Sequence, residues 1–123
     1  ENKIKNIKLP VSAPFHCSLM RKATEIMKEE LNKLKFKEGN NPLISNITAD
    51  EIFNAEELRS LLVKQIENRV RWRESVVNMI NKGVNKFIEI GPGKVLSGLI
   101  KRINNKVEII SINNEEDIRS IKI

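Results

Sequence analysis

The sequence predicts an α/β fold with parallel strand pairing, and three observations carry that prediction. Short apolar runs of strand length alternate with longer segments whose apolar residues recur every three to four positions. Phe87-Ile88-Glu89-Ile90, the turn Gly91-Pro92-Gly93, a helical stretch from Lys94 and the run Val107 to Ile112 follow one another in βαβ order, which requires a crossover helix between parallel strands. Apolar residues make up 40% of 123 positions, and with five glycines they approach the globular norm of about 45–50%, enough for one buried core.

Taken in order, Ile7, Leu9 and Val11 alternate with Lys8, Pro10 and Ser12, a half-buried strand that Pro10 confines to an edge or a strand end. Ser18 is placed to cap a long helix with the apolar stripe Leu19, Ala23, Ile26, Met27, Leu31 and Leu34. Gly39-Asn40-Asn41-Pro42 breaks the chain before a short strand, Leu43 to Ile47, and a polar turn, Thr48-Ala49-Asp50. Asn54, with Glu57 three residues on, opens a second helix with Leu58, Leu61, Leu62, Gln65 and Ile66 on one stripe. A third helix turns Trp72, Val76, Val77 and Ile80 inward and stops at Gly83. The helix after Gly93 carries Val95, Leu96, Leu99, Ile100 and Ile103, and Glu115-Glu116-Asp117 opens a short terminal helix through Ile118 and Ile121.

Composition narrows the chemistry. A single cysteine, Cys17, excludes an internal disulfide, and Cys17 beside the single histidine, His16, excludes the usual Cys/His zinc sets, so no metal is expected. No apolar run approaches the roughly 20 residues that cross a bilayer, and the N-terminal residues carry no signal core, so a soluble, cytoplasmic protein is expected, with no membrane partner. The net charge of +6 is unevenly spread: residues 42 to 68 carry −3 and residues 69 to 106 carry +7. One function class compatible with this is a non-catalytic basic module that docks an acidic protein or nucleic acid through residues 69–106; the bland alternative is a solvated Lys/Arg face. The lack of an aromatic stacking pattern argues against nucleic acid.

Gly91-Pro92-Gly93 sits where nucleotide folds keep a phosphate loop, but Leu96 stands where a dinucleotide fingerprint needs its third glycine. Leu99-Ile100 stand where a P-loop needs Lys-Ser/Thr. A strand-to-helix turn that exploits glycine's backbone freedom is the simpler reading. His16 is the only residue whose ordinary pKa suits proton transfer near neutral pH; from the residue alone it is either a general base or a loop histidine without catalytic role. Cys17 reads as a packed thiol. Gln65, an amide on an apolar stripe, either orients another polar group or makes an ordinary bond near a helix end.

Three segments together resemble malonyl-CoA:acyl carrier protein transacylase. They are Leu9-Pro10-Val11-Ser12-Ala13-Pro14-Phe15-His16-Cys17-Ser18-Leu19-Met20, Gln65 with Val70-Arg71-Trp72, and Ile90-Gly91-Pro92-Gly93-Lys94-Val95-Leu96-Ser97-Gly98-Leu99. The resemblance runs from about Lys5 to Asn105 and concerns the C-terminal part of that enzyme. It implies the C-terminal part of an α/β-hydrolase-like acyltransferase core over residues 13–123, with residues 1–12 as the end of an inserted ferredoxin-like subdomain. It also implies an activity in fatty acid biosynthesis: a malonyl group passes from malonyl-CoA, the substrate, to a serine and then to the phosphopantetheine thiol of acyl carrier protein, the partner, with no bound cofactor.

By the same resemblance His16 matches the catalytic histidine, and Gln65 matches the glutamine whose backbone carbonyl orients it. Phe15 is similar to the residue preceding that histidine in malonyl-selective acyltransferase domains of polyketide synthases, a position tied to substrate choice. Arg69 departs from the proline common shortly after the glutamine. The family's Gly-x-Ser-x-Gly nucleophile elbow has no counterpart among these residues, and Ser97, between Gly93 and Gly98, does not make one. The expectation is a base without a nucleophile, inactive alone and completed by sequence outside these residues, whether a separate N-terminal piece of the same enzyme or a part left out of this sequence, or else an inactive remnant.

Overall fold

Most of the periodic segments are helices: the computed structural model, which describes residues 11–121, shows five α-helices and four strands among them. These are α1 (Arg21–Lys33), β1 (Leu43–Ile44), β2 (Glu51–Ile52), α2 (Ala55–Lys64), α3 (Trp72–Asn81), β3 (Lys86–Ile90), α4 (Val95–Ile103), β4 (Glu108–Ile112) and α5 (Glu115–Ser120). Apart from Val11, which is outside any strand, the N-terminal strand lies outside the described residues. The described residues divide into two units: the part up to Asn41 with Phe53–Val70, and Pro42–Ile52 with the chain from Arg71 onward.

In the first unit α1 packs on α2. Ser18 does not cap α1; it starts a single 3-10 turn, Ser18–Met20, and α1 begins after it without a side-chain cap. The α1 stripe is largely uncovered, with Ile26 57% and Met27 46% exposed, and no residue of α1 is buried. By contrast α2 starts as its sequence dictates: Asn54 Oδ1 accepts from the N–H groups of Glu56 and Glu57 at 3.0 and 2.9 Å, and Leu61 is buried. Arg59 ties α2 to the chain beyond α1. Its guanidinium pairs with Glu56 at 2.7 Å, donates to the Leu34 carbonyl at 2.9 Å and lies 5.0 Å from the Phe36 ring centroid.

In the second unit β1 and β2 form an antiparallel hairpin around Thr48-Ala49-Asp50, so the expected strand is shorter and gains a partner. Arg71 anchors the hairpin to α3, its N–H bonding the Asn46 carbonyl at 2.8 Å and its Nη1 the Thr48 carbonyl at 2.9 Å. Val76 is fully buried, with Ile52, Ala49 and Ile100 as the other apolar core residues of this unit. Gly83 ends α3 at φ 95°, where its N–H reaches the Ile80 carbonyl and that of Val84 reaches Met79, a Schellman pattern.

The expected βαβ unit is present: β3 and β4 pair in parallel from Lys86 opposite Glu108 to Ile90 opposite Ile112, and α4 packs on both strands. Phe87 and Glu89 are half-buried on one face, whereas Ile88 and Ile90 are 42% and 78% exposed on the other. A parallel sheet is normally covered on both faces, and this run of apolar residues in both phases has the composition of one that is. Among the described residues no helix is long and apolar enough to cross a membrane.

Candidate active site

The final carbonyls of a helix lack intrahelical donors and must find partners elsewhere. At the C-terminal end of α2 the carbonyl of the cap residue, Gln65, and the next one along the chain are taken by one residue. The Nδ1 of His16 lies 2.8 Å from the carbonyl oxygen of Gln65, and the backbone N–H of His16 donates to the Ile66 carbonyl at 3.2 Å. His16 therefore closes the end of α2 with its ring and its own amide. A carbonyl only accepts, so this contact places a proton on Nδ1, and in the neutral ring Nε2 then keeps its lone pair, the form a general base needs.

Reaching both carbonyls requires an unusual backbone. His16 has φ 62°, in the left-handed region that non-glycine residues rarely occupy and that tends to mark functional positions. The ring is exposed, as is Phe15 beside it at 57%. Cys17 is half-buried, with Sγ 3.1 Å from the Pro14 carbonyl, a local contact that does not join it to the imidazole. The stripe position of Gln65 sets its backbone at the helix end, and the backbone carbonyl makes the contact. No periodicity argument finds that feature, because every residue has a carbonyl.

The Gly91-Pro92-Gly93 turn is closed by internal bonds. Gly91 and Gly93 have φ 139° and 92°; the N–H of Gly91 donates to the Ile112 carbonyl at 2.9 Å and that of Gly93 to Asn113 Oδ1 at 2.7 Å. Glu89, which the sequence reading passed over, caps α4 from the preceding strand. Its carboxylate accepts from the N–H groups of Leu96 and Ser97 at 3.0 and 2.8 Å. The signal was a carboxylate two residues before a glycine turn that opens a helix. With those amides occupied by a resident anion, the helix start is a structural junction and offers no phosphate cradle.

The Ser97 hydroxyl, then the Ser97 N–H and last the Leu96 N–H hold the Glu89 carboxyl below its ordinary value of 4.5, against an opposing effect of partial burial that is smaller than the Ser97 bonds. A carboxyl lowered in the folded state adds stability that is complete above its unfolded value and is lost as pH falls through the folded one. Glu89→Gln is therefore expected to be less stable than the parent in urea denaturation at pH 7. The gap should close as the buffer is taken below the ordinary carboxylate range.

Part of the positive charge in residues 69–106 is locally compensated: Arg71 pairs with Glu74 at 3.5 Å, Lys82 with Glu51 at 2.6 Å and Lys86 with Glu108 at 3.3 Å. Among the described residues no group of three or more His, Cys, Asp or Glu side chains could hold a metal ion.

Fold and geometry together define an α/β segment carrying an imidazole pre-oriented by a helix-end carbonyl. No family model matches the chain. It is 43% identical over 112 residues to the malonyl CoA-acyl carrier protein transacylase of Bacillus subtilis (strain 168), covering 91% of this chain and 35% of that protein. It is 41% identical over 111 residues to the enzyme of the same name from Staphylococcus aureus (strain COL), covering 90% and 36%. The crystal structure of acyl-carrier-protein-S-malonyltransferase from Bartonella henselae superposes with a TM-score of 0.85 at 42% identity, over 91% of this chain and 36% of that one. The malonyl CoA-acyl carrier protein transacylase of Clostridium perfringens gives 0.85 at 39%, over 92% and 36%. The chain is thus a homologue of malonyl CoA-acyl carrier protein transacylases, matches their C-terminal part and spans about 35% of their length.

Proposed function

We propose that this chain is the histidine-bearing segment of a malonyl-CoA:acyl carrier protein S-malonyltransferase that acts in fatty acid biosynthesis. In this reading residues 13–123 belong to an α/β-hydrolase-like core and residues 1–12 end a ferredoxin-like insertion. The observation that carries the proposal is the 2.8 Å contact from His16 Nδ1 to the Gln65 carbonyl. The relatives named above supply the chemistry to which that geometry is suited.

Nε2 of His16 takes the proton of a serine hydroxyl contributed from outside these residues as the serine oxygen attacks the malonyl thioester carbon. The carbon–sulfur bond then breaks and the imidazolium returns the proton to the departing coenzyme A thiolate. In the second half the phosphopantetheine thiol of acyl carrier protein gives its proton to Nε2 and attacks the malonyl-serine ester, and the serine leaves with the proton from His16. The Gln65 carbonyl holds the ring and stabilises its charged form during both transfers. Phe15 stands next to the base, where it contacts the acyl group and influences which acyl chains are accepted. The steps use only groups of the protein and the thiols of the two substrates, so the reaction calls for no bound cofactor.

The chain contains no Gly-x-Ser-x-Gly sequence, and by itself it is expected to form no malonyl adduct. Intact-mass spectrometry after incubation with malonyl-CoA checks this, and a mass increase of one malonyl group on the chain would contradict it. Mixing the chain with the separately produced N-terminal two-thirds of a related transacylase is expected to yield a malonyl ester on the serine of that piece.

A further inference from the structure

We propose that Asn68 is a positioning residue for His16, an inference that rests on the reading of His16 as the base. The Asn68 side-chain amide donates to the Lys64 carbonyl at 2.6 Å, back across one turn at the end of α2. The same stretch tightens as it leaves the helix, with Ile66 N–H to the Val63 carbonyl and Glu67 N–H to the Lys64 carbonyl, both at 3.3 Å. The carbonyls of Leu61, Val63 and Lys64 thereby accept from donors within residues 65–68. Those of Gln65 and Ile66 are the next two along, and they are the pair that His16 takes with its ring and its amide.

The Asn68 bond fixes the path of the turn from which both carbonyls project, and so sets where the ring can sit and which nitrogen keeps its proton. Another tie on this turn, Arg21 to Glu67, spans 3.9 Å, too long to define a backbone path. A carboxamide at position 68 supplies a neutral, directional donor. Aspartate has the same shape without the donor, and serine is a shorter donor able to bond a carbonyl four residues back.

His16 is the only histidine in the sequence, so the nitrogen-15 NMR signals of a labelled full 123-residue chain report on this ring alone. With the ring neutral, the parent is expected to carry its proton predominantly on Nδ1. Asn68→Asp is expected to lose that predominance, giving an averaged mixture of tautomers, while amide signals across β3 and β4 stay dispersed. Asn68→Ser is expected to recover the parent tautomer at least in part. If Asn68→Asp unfolds the chain, Asn68→Ala is read in the same way. A folded Asp or Ala variant that keeps the parent Nδ1 protonation overturns the proposal. The measurement needs no substrate, so its failure is separate from a failure of His16 as the base, which is tested by replacing His16 itself.

Discussion

Replacing His16 by glutamine in a transacylase whose C-terminal part has been exchanged for this chain is expected to lower kcat by about 10²- to 10⁴-fold, the range of general acid–base catalysis. KM for malonyl-CoA should change much less, because in the proposed reaction the ring acts on the proton in flight and contributes little to holding the substrate. The glutamine amide can still donate to the Gln65 carbonyl, 2.8 Å from His16 Nδ1 in the parent, so the end of α2 keeps a partner. It has no group that can take up the proton of the attacking hydroxyl, so general-base assistance is lost with the imidazole. A variant retaining parental kcat would remove His16 from the reaction.

The largest expected effect on stability comes from the second unit. Val76 has no exposed surface, and α3 packs against α4. Val76→Ala removes two carbons at roughly 0.8 kcal/mol each and leaves a cavity that the surrounding side chains fill only in part, for a total of about 2–3 kcal/mol. The shift in urea midpoint at unchanged m-value measures it. Val95→Ala removes the same atoms from a side chain that is 71% exposed, and should stay within about 0.5 kcal/mol of the parent. Equal effects at the two positions would mean that Val76 is not the centre of this core.

What could be read from the sequence follows what is local. The Asn54 cap, the Gly83 stop and the βαβ order of residues 87–112 all depend on neighbours within a few positions, and each stands in the structure. The α1 stripe was legible as helix, but its burial was not: periodicity says which residues share a face and nothing about whether a partner arrives. The Ser18 cap failed because a 3-10 turn intervenes and α1 starts three residues later. Glu89 stood in view within Phe87-Ile88-Glu89-Ile90, but its role was not legible there, since its task is done for a helix it does not belong to. His16 and Gln65, 49 residues apart, came together only through the resemblance; backbone carbonyls leave no mark on side-chain identity.

The left-handed backbone at His16 sets stability and chemistry at odds on one residue. Any side chain with a Cβ is strained at φ 62°, and glycine alone relieves that strain fully. Drift under selection for folding would therefore carry position 16 toward glycine, or toward asparagine, which tolerates the conformation better than most residues. Each of these substitutions removes the imidazole. As long as a histidine is kept there, the strain it carries is a standing cost of the proposed function, and a lineage without that function should shed the ring early.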